Sequence, residues 1–262
     1  MKAGITNYKV VLCYDGTDFK GWQYQPKQRT IQGALEDALV KIAGKRIPVF
    51  GAGRTDAGVH AEGQVASFKA SLSLDKAKLF RALNAILPND LRVQSLETAP
   101  PDFHARRSAV SKIYRYRILN APRVSPFHLR YVLHVRYPLD LRAMRKAAAL
   151  FVREADFSAF SSNKERHPVR KVTVSRIRKE GDEIVYTIRA EGFLRYMVRT
   201  IVGTILEVGK GKIPPEEIEE LFRGKKRTLS TPTAAARGLC LVRVFYPARS
   251  KPMTKASSTG LV

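Results

Sequence analysis

Asp56 sits in a segment made almost entirely of small residues. Residues 51–63 read Gly51-Ala-Gly-Arg54-Thr-Asp56-Ala-Gly-Val-His60-Ala-Glu-Gly63, with four glycines in thirteen positions. That density of glycine favours neither a helix nor a central strand. Val49-Phe50 precedes the segment and the apolar residues 65–68 follow it, so the spacing predicts a close-packed loop between buried strands. Asp56 is its only acid before Glu62. Small neighbours leave room for a large ligand to approach the carboxylate. A free Asp has a pKa of about 3.9 and is ionised at neutral pH, so it can act as nucleophile or as base. A plain turn, with Asp56 accepting from nearby amides, also accounts for the spacing.

Two further segments carry chemistry. In Lys112-Ile-Tyr114-Arg-Tyr116-Arg-Ile118, a strand puts Tyr114, Tyr116 and Ile118 on one face and Arg115 and Arg117 on the other. Aromatics on a sheet face stack on bases, and an Arg row meets phosphates. A core-facing Tyr row opposite a solvated Arg row is the alternative. In Gly192-Phe-Leu-Arg195-Tyr-Met-Val-Arg199, apolar neighbours draw Arg199 towards the core side, where it needs a carboxylate partner.

The elements that must position these residues are legible from periodicity. Strands are predicted over 8–14, 65–68, 91–96, 112–119, 131–136, 169–177, 184–191 and 238–246. Helices are predicted over 30–44, from Asp75 to Pro88, over 141–152, over 197–209 and from Pro214-Pro215 to Gly224. In the first helix Ile31, Leu35, Leu39 and Ile42 share one face, and Thr30 caps it. Glu180-Gly181-Asp182 marks a hairpin. The order predicts an α+β fold: two related lobes of antiparallel sheet with helices on one face. Pro100-Pro101 divides a lobe over 1–103, which carries the Asp56 loop, from a lobe over 104–246. The Lys-, Ser- and Thr-rich residues 247–262 read as a disordered tail.

Composition narrows the function. The chain has 262 residues, with 47 Lys+Arg against 23 Asp+Glu, a net charge of +24. The basic residues are spread along the chain, so a broad positive surface is expected, with a nucleic-acid backbone as partner. No apolar run reaches the roughly 18–20 residues of a membrane span, and no signal-peptide stretch opens the chain. Cys13 and Cys240 read as buried thiols in strands, consistent with a reducing, cytoplasmic compartment. The five histidines lack metal-ligand spacing, so no metal is expected. Phosphate-loop, dinucleotide-binding and zinc-hydrolase motifs are missing from the sequence.

The motif Gly-Arg54-Thr-Asp56-Ala-Gly-Val-His60 resembles that of the tRNA pseudouridine synthase A family. So do Tyr14-Asp-Gly-Thr-x-Phe-x-Gly21-Trp22-Gln, Thr30-Ile-Gln-Gly-x-Leu-Glu, Asp102-Phe-His-Ala-Arg106, Tyr114-Arg-Tyr116, Phe193-Leu-x-x-Met-Val-Arg199 and Gly238-Leu-x-Leu241. The matches run in order from about residue 8 to residue 246. The resemblance implies a pseudouridine synthase fold. It also implies a homodimer that isomerises uridines 38, 39 and 40 of the tRNA anticodon arm without metal or organic cofactor. On the same resemblance Asp56 is the catalytic carboxylate, and Arg54 helps hold the target nucleotide out of the stack. Tyr114 stacks on the uracil, and Arg199 pairs with Asp56. The competing reading is a non-catalytic RNA-binding protein that stacks bases on its Tyr114/Tyr116 face. Such a protein has no need of Asp56.

Overall fold

The computed structural model describes residues 4–163 and 166–247. The tail expected over 247–262 lies, from residue 248 on, outside the described residues. Among the described residues there are five helices and ten strands. They are β1 (Thr6–Tyr14), α1 (Ile31–Ala43), β2 (Phe50–Gly51), β3 (His60–Ala70), α2 (Lys76–Ile86), β4 (Leu91–Ala99), β5 (Ser111–Asn120), β6 (Leu133–Val135), α3 (Leu141–Ala149), β7 (Glu154–Asp156), β8 (Val169–Glu180), β9 (Glu183–Ala190), α4 (Met197–Gly209), α5 (Glu217–Gly224) and β10 (Leu239–Phe245). The helices and eight of the strands follow the predicted order, and two short strands, β2 and β7, are additional. The fold is α+β, as expected.

The strands form one sheet in the order β4-β1-β3-β10-β5-β9-β8-β7, with β2 beside β3 and β6 beside β5. Most pairs are antiparallel; β10–β3 and β5–β6 are parallel. The N-terminal strands β4, β1 and β3 lie on one side and β5, β9, β8 and β7 on the other. The last strand, β10, fills the seam, pairing Leu241 with Ala61 of β3 and with Tyr114 of β5. A parallel neighbour cannot come from a tight hairpin, so the seam is closed by the far end of the chain.

Local chemistry explains the elements. In β1, Tyr8, Val10, Leu12 and Tyr14 alternate into the core. In α1, Ile31, Leu35 and Leu39 are fully buried, and the Thr30 hydroxyl accepts from the Gly33 amide at 3.2 Å. A cap of this kind stabilises a helix by about 1 kcal/mol. The β8–β9 hairpin turns at Gly181, which takes φ 60°. Phe151, Phe157 and Phe160 pack edge-on or tilted against one another and against Phe222 of α5.

Three expectations are corrected. The strand expected over 65–68 extends back to His60, because Gly63 accommodates β10: a Cβ there would lie 2.4 Å from the Val242 carbonyl oxygen. The strand expected over 131–136 shrinks to three residues. Cys13 and Cys240 do lie in strands, β1 and β10, but are only partly buried. Among the described residues no helix is long and apolar enough to cross a membrane.

Candidate active site

Asp56 projects from residues 52–59, the connection between β2 and β3. The loop is pinned from below. Gln64 Nε2 donates to the Gly53 carbonyl at 2.9 Å, and the Tyr14 hydroxyl is 2.9 Å from Thr55 Oγ1. The Trp22 amide donates to the Thr55 carbonyl at 3.0 Å. The Gly21-Trp22 segment in turn accepts from the first turn of α1: Ile31 N–H donates to the Gly21 carbonyl and Gln32 N–H to that of Trp22. Gly21 has φ 91°, and a Cβ on it would lie 2.7 Å from the Thr55 carbonyl oxygen. Gly51 lets the Trp22 ring approach, since a Cβ there would lie 2.4 Å from it. The glycines of the motif thus serve close packing around a fixed carboxylate.

The partner expected for Arg199 is present. Arg199, in the first turn of α4, donates from Nη1 to Asp56 Oδ2 at 3.2 Å. Its Nε donates to the Ala234 carbonyl at 2.8 Å, and the Ala234 amide donates back to the Arg199 carbonyl at 3.0 Å. A guanidinium held at two points presents its remaining donors in a fixed direction. Burial is the largest influence on the Asp56 carboxyl and holds its pKa above the ordinary value. Arg199, and more weakly Arg195, pull it back down. Pairing with Arg199 favours ionisation, but burial in the pocket outweighs it. Tyr196, which opens α4, takes the left-handed conformation at φ 62°, and the Arg199 guanidinium lies 4.8 Å from the centre of its ring.

Tyr114 faces the same cleft from β5, its ring edge-on to Phe193 at 5.1 Å between centroids. Burial pushes its hydroxyl pKa up. Tyr116 does not share that position. It is fully buried, and its hydroxyl donates to the Ala235 carbonyl at 2.7 Å. On the opposite face Arg115 pairs with Glu62, and Arg117 with Glu183 at 2.6 Å. The row is therefore mostly core, and a Tyr/Arg sheet face for stacking bases is not available. His60 also lies away from the carboxylate. Its Nδ1 lies 3.1 Å from both the Gly16 amide nitrogen and an Asp15 oxygen, and its Nε2 lies 3.0 Å from the Arg130 carbonyl oxygen.

A cleft of about 1500 Å³ opens beside the Asp56 carboxylate. Asp56, Tyr114 and Arg199 come together within it. Arg54 stands exposed at its edge, with no hydrogen bond or ion pair among the described residues. Arg106, Lys112, Arg170 and Arg195 also line it, against Glu154 and Glu191 as its other acids. Lys112, Phe193 and Tyr196 carried no assigned role in the sequence. For Lys112 a signal existed: residues 112, 114 and 116 share one strand face, so a lysine stands in a row otherwise destined for the interior. Among the described residues no group of three or more metal-ligating side chains converges.

An α+β sheet that sets one carboxylate–guanidinium pair in a cationic cleft is the frame of an enzyme for a polyanionic substrate. Comparison with known proteins identifies which. A sequence model of the tRNA pseudouridine synthase family matches residues 11–106 and 147–247. A tRNA pseudouridine synthase A of Brevibacillus brevis is 45% identical over 240 residues, covering 91% of this chain and 98% of that one. One from Thermodesulfovibrio yellowstonii is 43% identical over 254 residues, covering 92% and 100%. One from Methylacidiphilum infernorum is 42% identical over 250 residues, covering 94% and 98%. The chain belongs to the tRNA pseudouridine synthase family, whose members are isomerases. The motifs in the sequence pointed to this family.

Proposed function

We propose that this protein converts uridines 38, 39 and 40 of the tRNA anticodon arm to pseudouridine, with Asp56 as the reacting carboxylate and no metal or organic cofactor. In the reaction the N1–C1′ bond breaks, a C5–C1′ bond forms, and the C5 proton is lost as N1 gains one. Atoms and electrons balance, so no external reagent is required. Two routes are open to a carboxylate: attack on C1′, or removal of a proton from C2′. Both need Asp56 ionised, and Arg199 favours that form. The detached uracil must not escape, and the Tyr114 ring beside Phe193 offers a face to hold it. A paired base is out of reach, so the nucleotide is flipped out at a cost of a few kcal/mol. Exposed Arg54 is suited to fill the space it leaves, and contacts between the cationic cleft and phosphates offset that cost.

The observation that carries this reading is the 3.2 Å Asp56–Arg199 pair in a cleft shared with Tyr114. The same reading makes the enzyme a cytoplasmic homodimer; the exposed apolar side chains of Phe127 and Leu229 supply surface for a second copy. Incubation with an unmodified tRNA transcript, followed by carbodiimide mapping, should reveal pseudouridine at 38–40. Asp56→Asn should lower turnover by at least about 10⁴-fold while tRNA binding stays near wild type. Measurable turnover by Asp56→Asn, free of deamidation, would remove Asp56 from the chemistry.

A further inference from the structure

Lys112 is the one buried lysine or arginine among the described residues, at 9% exposure. Its stem passes over the backbone of the Asp56 loop, with Cε 3.3 Å from where a Gly53 Cβ would be. No carboxylate answers it. Burial of the stem, and after it the cations Arg106 and Arg170, depress its pKa. Neither arginine is neutralised by an ion pair among the described residues: Arg170 donates only to the carbonyls of His167 and Val169. The stem is buried but the ammonium meets the cleft, for the one sealed-off side-chain nitrogen or oxygen without a partner among the described residues is Arg115 Nε. A cation set beside two others, with no ion pair of its own, is placed to receive an anion from the cleft.

The position says what that partner is. Lys112 and Tyr114 lie two residues apart on one face of β5, about 6.6 Å along the strand. That is comparable to the reach from a base to its backbone phosphate. A compact ammonium suits a phosphate oxygen. We propose that Lys112, flanked by Arg106 and Arg170, binds a phosphodiester of the RNA strand next to the reacting nucleotide. Substrate then supplies the counter-ion that the fold withholds. The assignment rests on the reading of this cleft as the RNA site.

The test reads binding rather than turnover, so its failure is separable from failure of the Asp56 assignment. Anticodon-arm RNAs carrying one neutral methylphosphonate at each phosphate near the target uridine are titrated against the full chain. At one phosphate the substitution should weaken wild-type binding by about tenfold. Lys112→Gln should lose the same factor on unmodified RNA and lose nothing more on that methylphosphonate; Lys112→Arg should keep most of the affinity. Without RNA, Lys112→Met should melt no lower than wild type, because it keeps the buried stem and removes a cation repelled by Arg106 and Arg170. Additive losses at every phosphate overturn the proposal. So does a lower melting temperature for Lys112→Met, which would make the lysine part of the scaffold.

Discussion

At the scale of the residue, two opposed influences act on Asp56. Burial raises its pKa, and Arg199 lowers it by charge and by hydrogen bond. The acid limb of kcat/KM reports groups of the free enzyme. Its midpoint should therefore lie above the ordinary carboxylate value of about 3.9. Arg199→Gln removes the main opposing influence, so the carboxyl binds its proton more tightly and the limb moves to still higher pH. Activity at neutral pH should fall by on the order of tenfold or more, and part of it should return as pH is raised. A pH–rate series on both proteins checks this. A limb that stays in place would mean that Arg199 acts on the substrate and not on Asp56.

At the scale of the element, the carboxylate is aimed by packing at a distance in sequence. The Gly21-Trp22 segment is held between the start of α1 and the Thr55 carbonyl, and Gly21 meets the left-handed conformation that favours glycine. Gly21→Ala should cost about 1–3 kcal/mol from backbone strain alone. A Cβ at 2.7 Å from the Thr55 oxygen should also displace the residue next to Asp56. Denaturant unfolding should register the loss of stability, and kcat should fall with little change in RNA affinity. On the other side of the cleft α4 lies close against residues 232–234, for a Cβ on Gly203 would be 1.9 Å from the Pro232 carbonyl oxygen. That contact carries the Ala234 carbonyl to Arg199. Each half of the ion pair thus also depends on a glycine outside the thirteen-residue motif, Gly21 for Asp56 and Gly203 for Arg199.

At the scale of the whole molecule, a charge of +24 should make RNA affinity fall steeply with salt. The log–log slope is about −0.7 per phosphate neutralised on a single strand and about −0.9 on a duplex. An anticodon arm has both, so several contacts should give a slope of a few units. Arg54→Ala and Arg170→Ala, which remove cations lining the cleft, should each reduce it by about one. Lys171 faces Glu154 at 4.0 Å, so its removal should change the slope less. Binding isotherms between 50 and 200 mM salt test this; a flat dependence would mean that the cationic cleft is not the docking surface.

The sequence alone determined the five helices, eight of the ten described strands and the family. Periods of 3.6 and 2, the Thr30 cap and the Gly181 hairpin are local signals, and local signals survive without tertiary context. They were weakest where pairing is non-local. His60–Ala70 read as a loop up to residue 64 because its glycines look like breakers until β10 lies beside them. The helix expected to run to Gly224 does end there, but the left-handed residue that follows it is Lys225, which no local signal marks. Asp56 and Arg199 were recognisable as residue types seeking partners, but 143 positions separate them and only the closed sheet joins them. Tertiary structure also decided the faces. The same alternation that placed Tyr114 and Tyr116 together could not say that one borders the cleft and the other does not, nor that Lys112 lines that cleft without an ion pair of its own. Those outcomes depend on which distant strand covers each position, and strand period carries no information about the neighbour.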